Sequence, residues 1–332
     1  MNADLTIIIP SYNRGKYIRE ALDSIFMQET SYSFHLIIPD DHSTDNSIEI
    51  IKEYQAKYPN KITLLESNVN QKLFKNVLRA YEITKTPYFC VLDPDDFWID
   101  KNFIQNSLDF LEKNKDFTIY AANAYMLKNG SKNEYTHCGG DNFDFNDYFT
   151  GSAIFGLTSS SIYRNLLFKN GVNEKLYSAE KLISFESFRG DSYRTIASLE
   201  KGKLFFSKDY VSVYRITDDG LWMGSTTNNN IYTQMRLFAD LFLYFDKKYP
   251  KLIYFSYLEY LKIKNKFYDY LKELKIENIK KTLDEYTKIL DLYEENFEYI
   301  EKTLLETKKP KIKFYYYLYK KLLKKLKRKG IV

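Results

Sequence analysis

Short apolar runs alternate with amphipathic segments over the first hundred residues of the chain. The apolar runs are typical of strands buried in a parallel sheet, and the segments between them repeat apolar residues at helical spacing. The predicted strands are Leu5–Pro10, Phe34–Pro39, Lys61–Leu65 and Tyr88–Leu92, and the predicted helices are Gly15–Met27, Ser47–Tyr58 and Leu73–Ile83. This alternation predicts an α/β fold, a mostly parallel sheet with helices on both faces.

The pattern becomes mixed after residue 117 and purely helical after residue 228. Between these points we predict strands at Phe117–Leu127 and Phe155–Tyr163, a helix at Asp191–Lys201 and an extended segment at Lys203–Ile216. Farther on, Leu, Tyr, Lys and Glu recur at helical spacing, with breaks at Pro250 and Pro310. We therefore predict an α/β domain over residues 1–227 and a helical extension over residues 228–332.

Acidic clusters follow two of the predicted strands at their carboxyl ends, which is where open α/β sheets bind ligands. Asp40 and Asp41 follow the second strand, and the run Asp93–Asp96 follows the fourth. Carboxylates at 93 and 95 can converge on one hard cation such as Mg²⁺ or Mn²⁺. The alternative is a solvated turn in which Asp96 caps a helix that begins near Trp98.

Composition and charge exclude several classes of protein. The chain has 332 residues with 49 Lys+Arg and 44 Asp+Glu, and 11 of the basic residues fall in 308–329 without an acidic one. A mildly acidic body with a basic end is not a general nucleic-acid binder, so we expect no nucleic-acid partner. The two cysteines, Cys90 and Cys138, lack the spacing of a disulfide framework or a thiolate metal site.

The basic segment 314–329 has the pattern of an interfacial helix. Apolar residues fall on one helical face and Lys and Arg on the other, which favours docking on an anionic membrane surface. The alternative is a helix that packs on the extension and leaves its basic face in water. No window approaches the about 18 apolar residues of a spanning helix, and no signal peptide is seen. We expect a cytoplasmic protein at the inner face of the membrane, with a helical extension that could also mediate homo-oligomerisation.

Three short motifs resemble the signatures of family 2 glycosyltransferases. They are Ile7–Arg14, Asp40–Ser47 and Val91–Trp98, and they occur in the family's order at the ends of the first, second and fourth predicted strands. The resemblance is strong over residues 4–120 and weaker to residue 225. It implies the GT-A fold and an inverting transfer of sugar from a nucleotide-sugar donor.

The resemblance implies donor and metal sites by position. The implied donor-binding residues are Pro10, Ser11, Tyr12, Asn13, Asp40, Asp41, Lys72, Asp93 and Arg215. Asp93 and Asp95 would hold Mn²⁺ or Mg²⁺, and Asp41 would contact uracil or ribose. A solvated helix face is the alternative for Lys72, and a structural ion pair with a nearby aspartate is the alternative for Arg215.

The catalytic base is expected at Asp191, because Phe188–Arg194 resembles the family's acidic motif at the start of a helix. Its alternative role is to cap that helix, and Glu186 is the second candidate for the base. Many members carry a histidine where Thr217 stands here, so the third metal contact stays open between Thr217 and Asp218. Weak acceptor candidates are Ser159, Ser160 and Trp222.

The sequence thus predicts a metal-dependent, inverting glycosyltransferase. It would move a sugar from a nucleotide-sugar, with a UDP-sugar as the favoured donor, to a hydroxyl of a growing surface glycan or lipid-linked oligosaccharide. A sugar nucleotidyltransferase is one alternative, but it needs a glycine-rich phosphate loop and residues 11–15 contain only Gly15. A catalytically silent, membrane-docked scaffold with the same fold is the other.

Overall fold

The computed structural model describes residues 3–135, 140–150, 157–177, 182–183, 190–217 and 226–306. The chain divides into two compact units, Met1–Glu174 with Arg189–Gly220 and Lys175–Phe188 with Leu221–Val332. The domain boundary expected at 227/228 stays a prediction, since compactness does not establish independent folding. Features of the sequence that lie outside the described residues are Glu186, Asp218, Trp222, Pro310 and the basic segment 314–329.

The amino-terminal half of the first unit confirms the predicted alternation. Its strands are β1 (Leu5–Ile8), β2 (Phe34–Pro39), β3 (Ile62–Leu65) and β4 (Tyr88–Val91), and the helices between them are α1 (Ile18–Phe26), α2 (Ser47–Lys57) and α3 (Leu73–Ile83). All four strands are parallel in the order β3-β2-β1-β4. Side chains such as Ile7, Leu36 and Cys90 are buried in the core of this unit, which explains the unbroken apolar runs.

The later part of the first unit extends the same sheet with mixed pairing. Its elements are β5 (Phe97–Trp98), α4 (Phe103–Lys113), β6 (Phe117–Lys128), β7 (Ser131–Glu134), β8 (Asp141–Phe143), α5 (Phe145–Thr150), β9 (Ser161–Arg164), α6 (Gly190–Leu199) and β10 (Lys203–Arg215). The order continues β4-β9-β6-β10-β5, with β7 on β6 and β8 on β10. Strand β9 is antiparallel to both neighbours, whereas β6 and β10 are parallel, so the sheet is parallel only in part.

From residue 227 to residue 306, the second unit consists of helices joined by short connections. Its helices are α7 (Thr227–Tyr244), α8 (Pro250–Ile263), α9 (Phe267–Glu273), α10 (Ile276–Glu295) and α11 (Phe297–Glu306). Pro250 occupies the first turn of α8, where a missing N–H costs nothing, so the predicted break is also a helix start. A buried ion pair between Arg236 and Glu285 (2.6 Å) joins α7 to α10. Among these and the other described helices, none combines the length and apolar character needed to cross a bilayer.

Candidate functional site

The three motifs meet at one edge of the sheet because β1 lies between β2 and β4. A bridge between Ser11 and Asp40 continues the β1–β2 pairing beyond the strands, and the Asp41 N–H donates to the Ser11 carbonyl (2.9 Å). On the other side of β1, the Leu92 N–H donates to the Ile8 carbonyl (2.9 Å), directly before Asp93. The polar residues that follow the three strands therefore form a single candidate site.

The first two loops of the site are fastened to each other by side chains. The Asn13 N–H donates to the Ser43 hydroxyl (2.9 Å), and the Asn13 side-chain oxygen accepts from the Thr44 N–H (2.8 Å). Asn13 and His42 both have left-handed backbones, with φ of +51° and +68°. Such conformations are unfavourable for residues other than glycine and persist where surrounding contacts enforce them. The interlocking bonds supply that enforcement here.

Asp45 ties the start of the second helix to the first loop. Its carboxylate accepts from the Ser47 hydroxyl and from the Gly15 N–H (2.9 Å). Burial alone would raise the pKa of the Asp45 carboxyl, but these hydrogen bonds hold the pKa below its usual range. A Cβ at position 15 would lie 1.8 Å from Oδ1 of Asn46, so only glycine fits this approach without a shift.

The adjacent aspartates of the second motif have different partners. Asp40 is fully buried, and its two carboxylate oxygens accept from the N–H (2.8 Å) and hydroxyl (2.6 Å) of Ser43. Asp41 accepts the Gln71 N–H through Oδ1 (2.6 Å), so a nucleotide contact by Asp41 would use Oδ2. The structure thus gives Asp40 a role in shaping the loop and leaves Asp41 as the candidate ligand.

Two residues of α3 that the sequence analysis did not select hold the ends of β2 and β3. The Asn76 amide donates to the Pro39 carbonyl (2.7 Å), and Arg79 donates to the carbonyls of Asp40 (3.3 Å), Leu65 (2.8 Å) and Glu66 (2.8 Å). Asn76 and Arg79 are spaced i, i+3 and so lie on one helical face, and this spacing could have indicated in the sequence that both act on the same strand ends.

Other predicted donor residues differ in exposure. Tyr12 is 45% exposed beside Ser11, which is buried. The Ser11 hydroxyl has no hydrogen-bond partner among the residues that the structure describes. A buried hydroxyl without a partner is uncommon, so Ser11 retains a hydrogen bond that the described residues do not use. Lys72 is exposed immediately before α3, with a backbone φ of +73°.

Three aspartates of the third motif crowd negative charge behind β4. Burial and the adjacent Asp95 charge raise the pKa of Asp93 to about 7. Burial and the Asp93 charge also hold the pKa of Asp96 well above its usual range. Arg14 approaches Asp95 from the first motif, with 3.7 Å between Nε and Oδ2. A site that disfavours its own negative charges in this way would be relieved by a bound cation.

Asp96 serves the architecture of the site. It is buried, its Oδ1 accepts the Arg215 N–H (2.9 Å) and its Oδ2 accepts the Ser159 hydroxyl (2.6 Å). The alternative in which Asp96 caps a helix near Trp98 is wrong, because Phe97–Trp98 is strand β5.

The two serines selected as acceptor contacts are buried. Ser159 donates to Asp96 and its carbonyl accepts from the Trp98 indole (2.7 Å), while Ser160 has no exposed surface. This burial disfavours a contact between either hydroxyl and an acceptor.

Arg215 is held inside the protein rather than aimed at solvent. Its side chain is 19% exposed, pairs with Glu20 and donates through Nε to the Asp95 carbonyl (3.0 Å). The structural ion pair, which was the alternative at this position, is therefore what the structure shows, with Glu20 in place of an aspartate.

Asp191 lies at the start of α6, within electrostatic reach of the third motif. It is exposed, and its Oδ1 accepts the Ser192 N–H (2.7 Å). Its charge is one of the causes that raise the pKa of Asp93, after burial and Asp95. One turn farther along, Arg194 is buried and donates to the Tyr81 hydroxyl (2.6 Å). The arrangement places an exposed carboxylate near the acidic cluster, which is what a general base at this site requires.

The acidic cluster fits a divalent cation in part. Within the described residues, no three His, Cys, Asp or Glu side chains converge to hold an ion by themselves. Asp93 and Asp95 nevertheless offer the hard oxygen ligands that Mg²⁺ and Mn²⁺ prefer, and diphosphate oxygens could complete such a shell. Thr217 is buried, and its hydroxyl has no hydrogen-bond partner in the part of the chain that the structure describes.

Comparison with known proteins identifies the family. The profile described as Glycosyl transferase family 2 matches residues 6–174, about half of the chain, and covers the three motifs. The chain belongs to glycosyltransferase family 2. The prediction from the sequence that the chain is a member of this family is confirmed.

Relatives and solved structures agree with this assignment. The chain is 26% identical over 341 residues to the minor teichoic acid biosynthesis protein GgaB of Bacillus subtilis, covering 95% of this chain and 34% of that protein. The chain spans about a third of the length of the curated relatives it matches first.

Two solved structures share the fold. A structure of S. aureus TarS (residues 1–349) in complex with UDP has a TM-score of 0.55 at 16% identity, covering 83% of this chain and 76% of that one. The mannosyltransferase PcManGT from Pyrobaculum calidifontis, in complex with GDP-Man and Mn²⁺, has a TM-score of 0.51 at 13% identity, covering 88% and 87%. These similarities confirm the predicted GT-A fold with its helical region.

Proposed function

We propose that this family 2 glycosyltransferase moves a sugar from a UDP-sugar to a hydroxyl of a growing surface glycan, with inversion at the anomeric carbon and with a divalent metal. The observation that carries the proposal is the meeting of the three motifs at one sheet edge, with Asp191 in electrostatic reach of Asp93. The partnerless Ser11 hydroxyl beside Asp41 supports a nucleotide site at the same edge.

Asp191 acts as the general base in this proposal. Its carboxylate takes the proton of the acceptor hydroxyl while that oxygen bonds to the anomeric carbon and the bond from this carbon to the diphosphate oxygen breaks. The electron pair leaves with the nucleoside diphosphate. Attack from the face opposite the leaving group inverts the configuration. A positioned base of this kind contributes about 10²–10⁴-fold to the rate.

Asp93 and Asp95 would hold the divalent cation. Bound there, the cation would offset the negative charge that develops on the departing diphosphate. The closeness of the two carboxylates supports this role. The charge of Asp95 makes ionisation of Asp93 less favourable, and a cation between them would offset this repulsion. The complex of PcManGT with Mn²⁺ and GDP-Man supports it by likeness of fold.

The acceptor class rests on the relatives and on the carboxyl-terminal sequence. GgaB is named for teichoic acid biosynthesis, which favours a surface polymer as the acceptor here. The basic amphipathic segment 314–329 would bring the enzyme to the anionic inner face of the cytoplasmic membrane, where lipid-linked acceptors are found.

The first experiment measures nucleotide release from UDP-, GDP- and CMP-sugars in the presence of Mn²⁺, Mg²⁺ or EDTA. We expect slow, metal-dependent release from one UDP-sugar. Asp191→Asn should lower turnover about 10²–10⁴-fold while UDP binding persists, since only the base is lost. Asp95→Ala should instead weaken the metal-dependent binding of UDP.

A matched control is Asp116→Asn, because Asp116 is an exposed carboxylate that pairs with Lys203 outside the site. It should behave as the wild type. Absence of both turnover and UDP binding in the wild type would contradict the proposal. Full activity of Asp191→Asn would exclude Asp191 as the base. If the wild type shows turnover and Asp191→Asn does not, the alternative of a catalytically silent scaffold is excluded.

Membrane docking is tested by cosedimentation with vesicles. The full chain should bind phosphatidylglycerol vesicles, bind phosphatidylcholine vesicles little, and dissociate in high salt, because the attraction is electrostatic. Replacement of Lys320, Lys321 and Lys324 by Gln should weaken the binding. Binding that is equal for both lipids, or unchanged by the substitutions, would contradict docking through this segment.

A further inference from the structure

Arg215 connects three separate parts of the first unit. At the end of β10, its backbone N–H donates to Oδ1 of Asp96 (2.9 Å) and its Nε donates to the carbonyl of Asp95 (3.0 Å). Its Nη2 pairs with the carboxylate of Glu20 on α1. One residue therefore links the acidic loop, the last strand and the first helix.

Two aromatic rings lie within cation–π distance of the Arg215 guanidinium. Its central carbon lies 5.2 Å from the centroid of the Tyr17 ring and 5.3 Å from that of Phe97. Tyr17 immediately precedes α1, and Phe97 immediately follows the acidic loop. A planar guanidinium near two rings and with its donors bonded has little freedom, and an ammonium group cannot reproduce the fixed directions of those donors.

Two bonds of Arg215 hold the chain directly after the Asp95 side chain. One bond holds the carbonyl of Asp95 itself, and another holds the carboxylate of the next residue, Asp96. Asp96 is further fixed by the Ser159 hydroxyl (2.6 Å). The Asp95 peptide from which the side chain projects is thus held by Arg215, while the carboxylate itself lies 3.7 Å from Nε of Arg14.

We propose that Arg215 is a positioning residue, which orients Asp95 for the metal and does not contact the donor diphosphate. Glu20 is its partner in this role, because the ion pair holds the far end of the guanidinium against α1. The inference rests on the proposed metal-dependent function and adds the residues that set the geometry of the metal ligand. Groups that orient metal ligands from the outer shell typically affect metal affinity strongly.

The test measures UDP binding by calorimetry with and without Mn²⁺ in the full chain. The variants are Arg215→Lys, Arg215→Met and Glu20→Gln. The matched control is Glu53→Gln. Glu53 on α2 forms an exposed ion pair with Arg19 (2.7 Å), which is the neighbour of Glu20 on α1, so the control removes an ion pair of α1 that does not involve Arg215. Thermal unfolding of each variant shows whether it is folded.

A positioning role predicts a specific pattern. Arg215→Met and Arg215→Lys should both weaken the Mn²⁺-dependent binding of UDP about 10-fold or more, with metal-free binding unchanged. Glu20→Gln should weaken it in the same direction and by less, and Glu53→Gln should have no effect. A direct contact with diphosphate predicts the opposite: Lys would restore binding, Glu20→Gln would tighten it by freeing the cation, and metal-free binding would fall in Arg215→Met. That second pattern would overturn the inference.

Hydrogen exchange separates failure of this inference from failure of the proposed function. Without ligand, amides of residues 93–98 should exchange faster in Arg215→Met than in the wild type or in Glu53→Gln. The substitution removes the guanidinium bond to the Asp95 carbonyl and leaves the backbone bond to Asp96 in place. If the wild type shows no metal-dependent UDP binding, the proposed function fails, and this arm alone decides whether Arg215 holds the loop. Unchanged exchange in Arg215→Met would overturn the inference in either case.

Discussion

Adjacent residues of identical chemistry have different roles in this site. Asp40 accepts hydrogen bonds from Ser43 of its own loop, whereas Asp41 accepts from the Gln71 N–H. Asp95 lies near Arg14, and the buried Asp96 accepts from Ser159 and Arg215. The motifs predicted where the carboxylates would gather, because strand ends meet at one edge of a parallel sheet. The motifs did not predict which partner each of these carboxylates has. The partners depend on the backbone of turns such as that at the left-handed His42 (φ +68°), which the residue types do not specify.

At the scale of single residues, Gly15 is the most constrained position of the first loop. In Gly15→Ala, the added Cβ would overlap Oδ1 of Asn46, so that side chain must move, and we expect a loss of about 1 kcal/mol in the free energy of unfolding. Because the overlap involves one side chain, adding Asn46→Gly should recover part of the loss. Urea unfolding of both single variants and the double variant measures this coupling.

Gly130, in the turn between β6 and β7, provides the control. Its φ is +79° and no atom lies within 4 Å of an added Cβ, so Gly130→Ala is strained only through the backbone. Its cost should be unaffected by Asn46→Gly. Strictly additive costs for Gly15→Ala and Asn46→Gly would show that the overlap does not exist in solution.

At the scale of elements, prediction was best where periodicity was strongest. Strands β1 to β4 and helices α1 to α3 occur where apolar runs and helical repeats placed them, since each is buried on a regular face. The strand expected at Phe155–Tyr163 is β9, Ser161–Arg164, because Thr158–Ser160 forms a 3₁₀ turn that brings Ser159 to Asp96. Strands β7 and β8 were not predicted, because they are short and mostly exposed and carry no apolar alternation.

The β2–β3 pair contains a histidine that makes the stability of the fold depend on pH. His35 is buried on β2, with Nε2 2.8 Å from the Thr63 hydroxyl on β3. Burial holds the pKa of His35 in the folded protein below its ordinary value of 6.5, which is the value expected in the unfolded chain. Between the folded and the unfolded pKa, the unfolded chain therefore binds a proton that the folded chain does not. Stability contributed by neutral His35 is therefore present above about pH 6.5 and is lost as pH falls through this window.

The free energy of unfolding in urea at pH 7.5 and pH 5.5 measures this effect. We expect stability to change less favourably in the wild type than in His35→Gln on going from pH 7.5 to pH 5.5, because the titrating imidazole is gone from the variant. Asp93 and Asp96, whose raised pKa values act in the opposite direction, contribute equally to both proteins. His42→Gln, which changes an exposed histidine of the same chain, should retain the dependence of the wild type. An equal change in His35→Gln and the wild type would refute the assignment.

At the scale of the whole molecule, the sequence predicted a sheet-containing part followed by a helical part, and the family match confirms the first as a family 2 glycosyltransferase. What it could not predict is that residues 175–188 leave the first unit and join the second. The contact that shows this is between the Ile183 N–H and the carboxylate of Asp240 on α7 (2.6 Å). Such a contact joins residues that are far apart in sequence, and local patterns carry no information about it.

The assignment of residues 175–188 to the second unit limits where the chain can be truncated or recombined with a relative. Because the chain passes from one unit to the other after residues 174, 188 and 220, a stop after residue 220 does not release a clean catalytic module. It would leave Leu182 and Ile183, which are buried in the intact protein, without the helix that bears Asp240. Exchange of carboxyl-terminal regions between relatives would therefore have to carry residues 182 and 183 along with α7 to keep this contact.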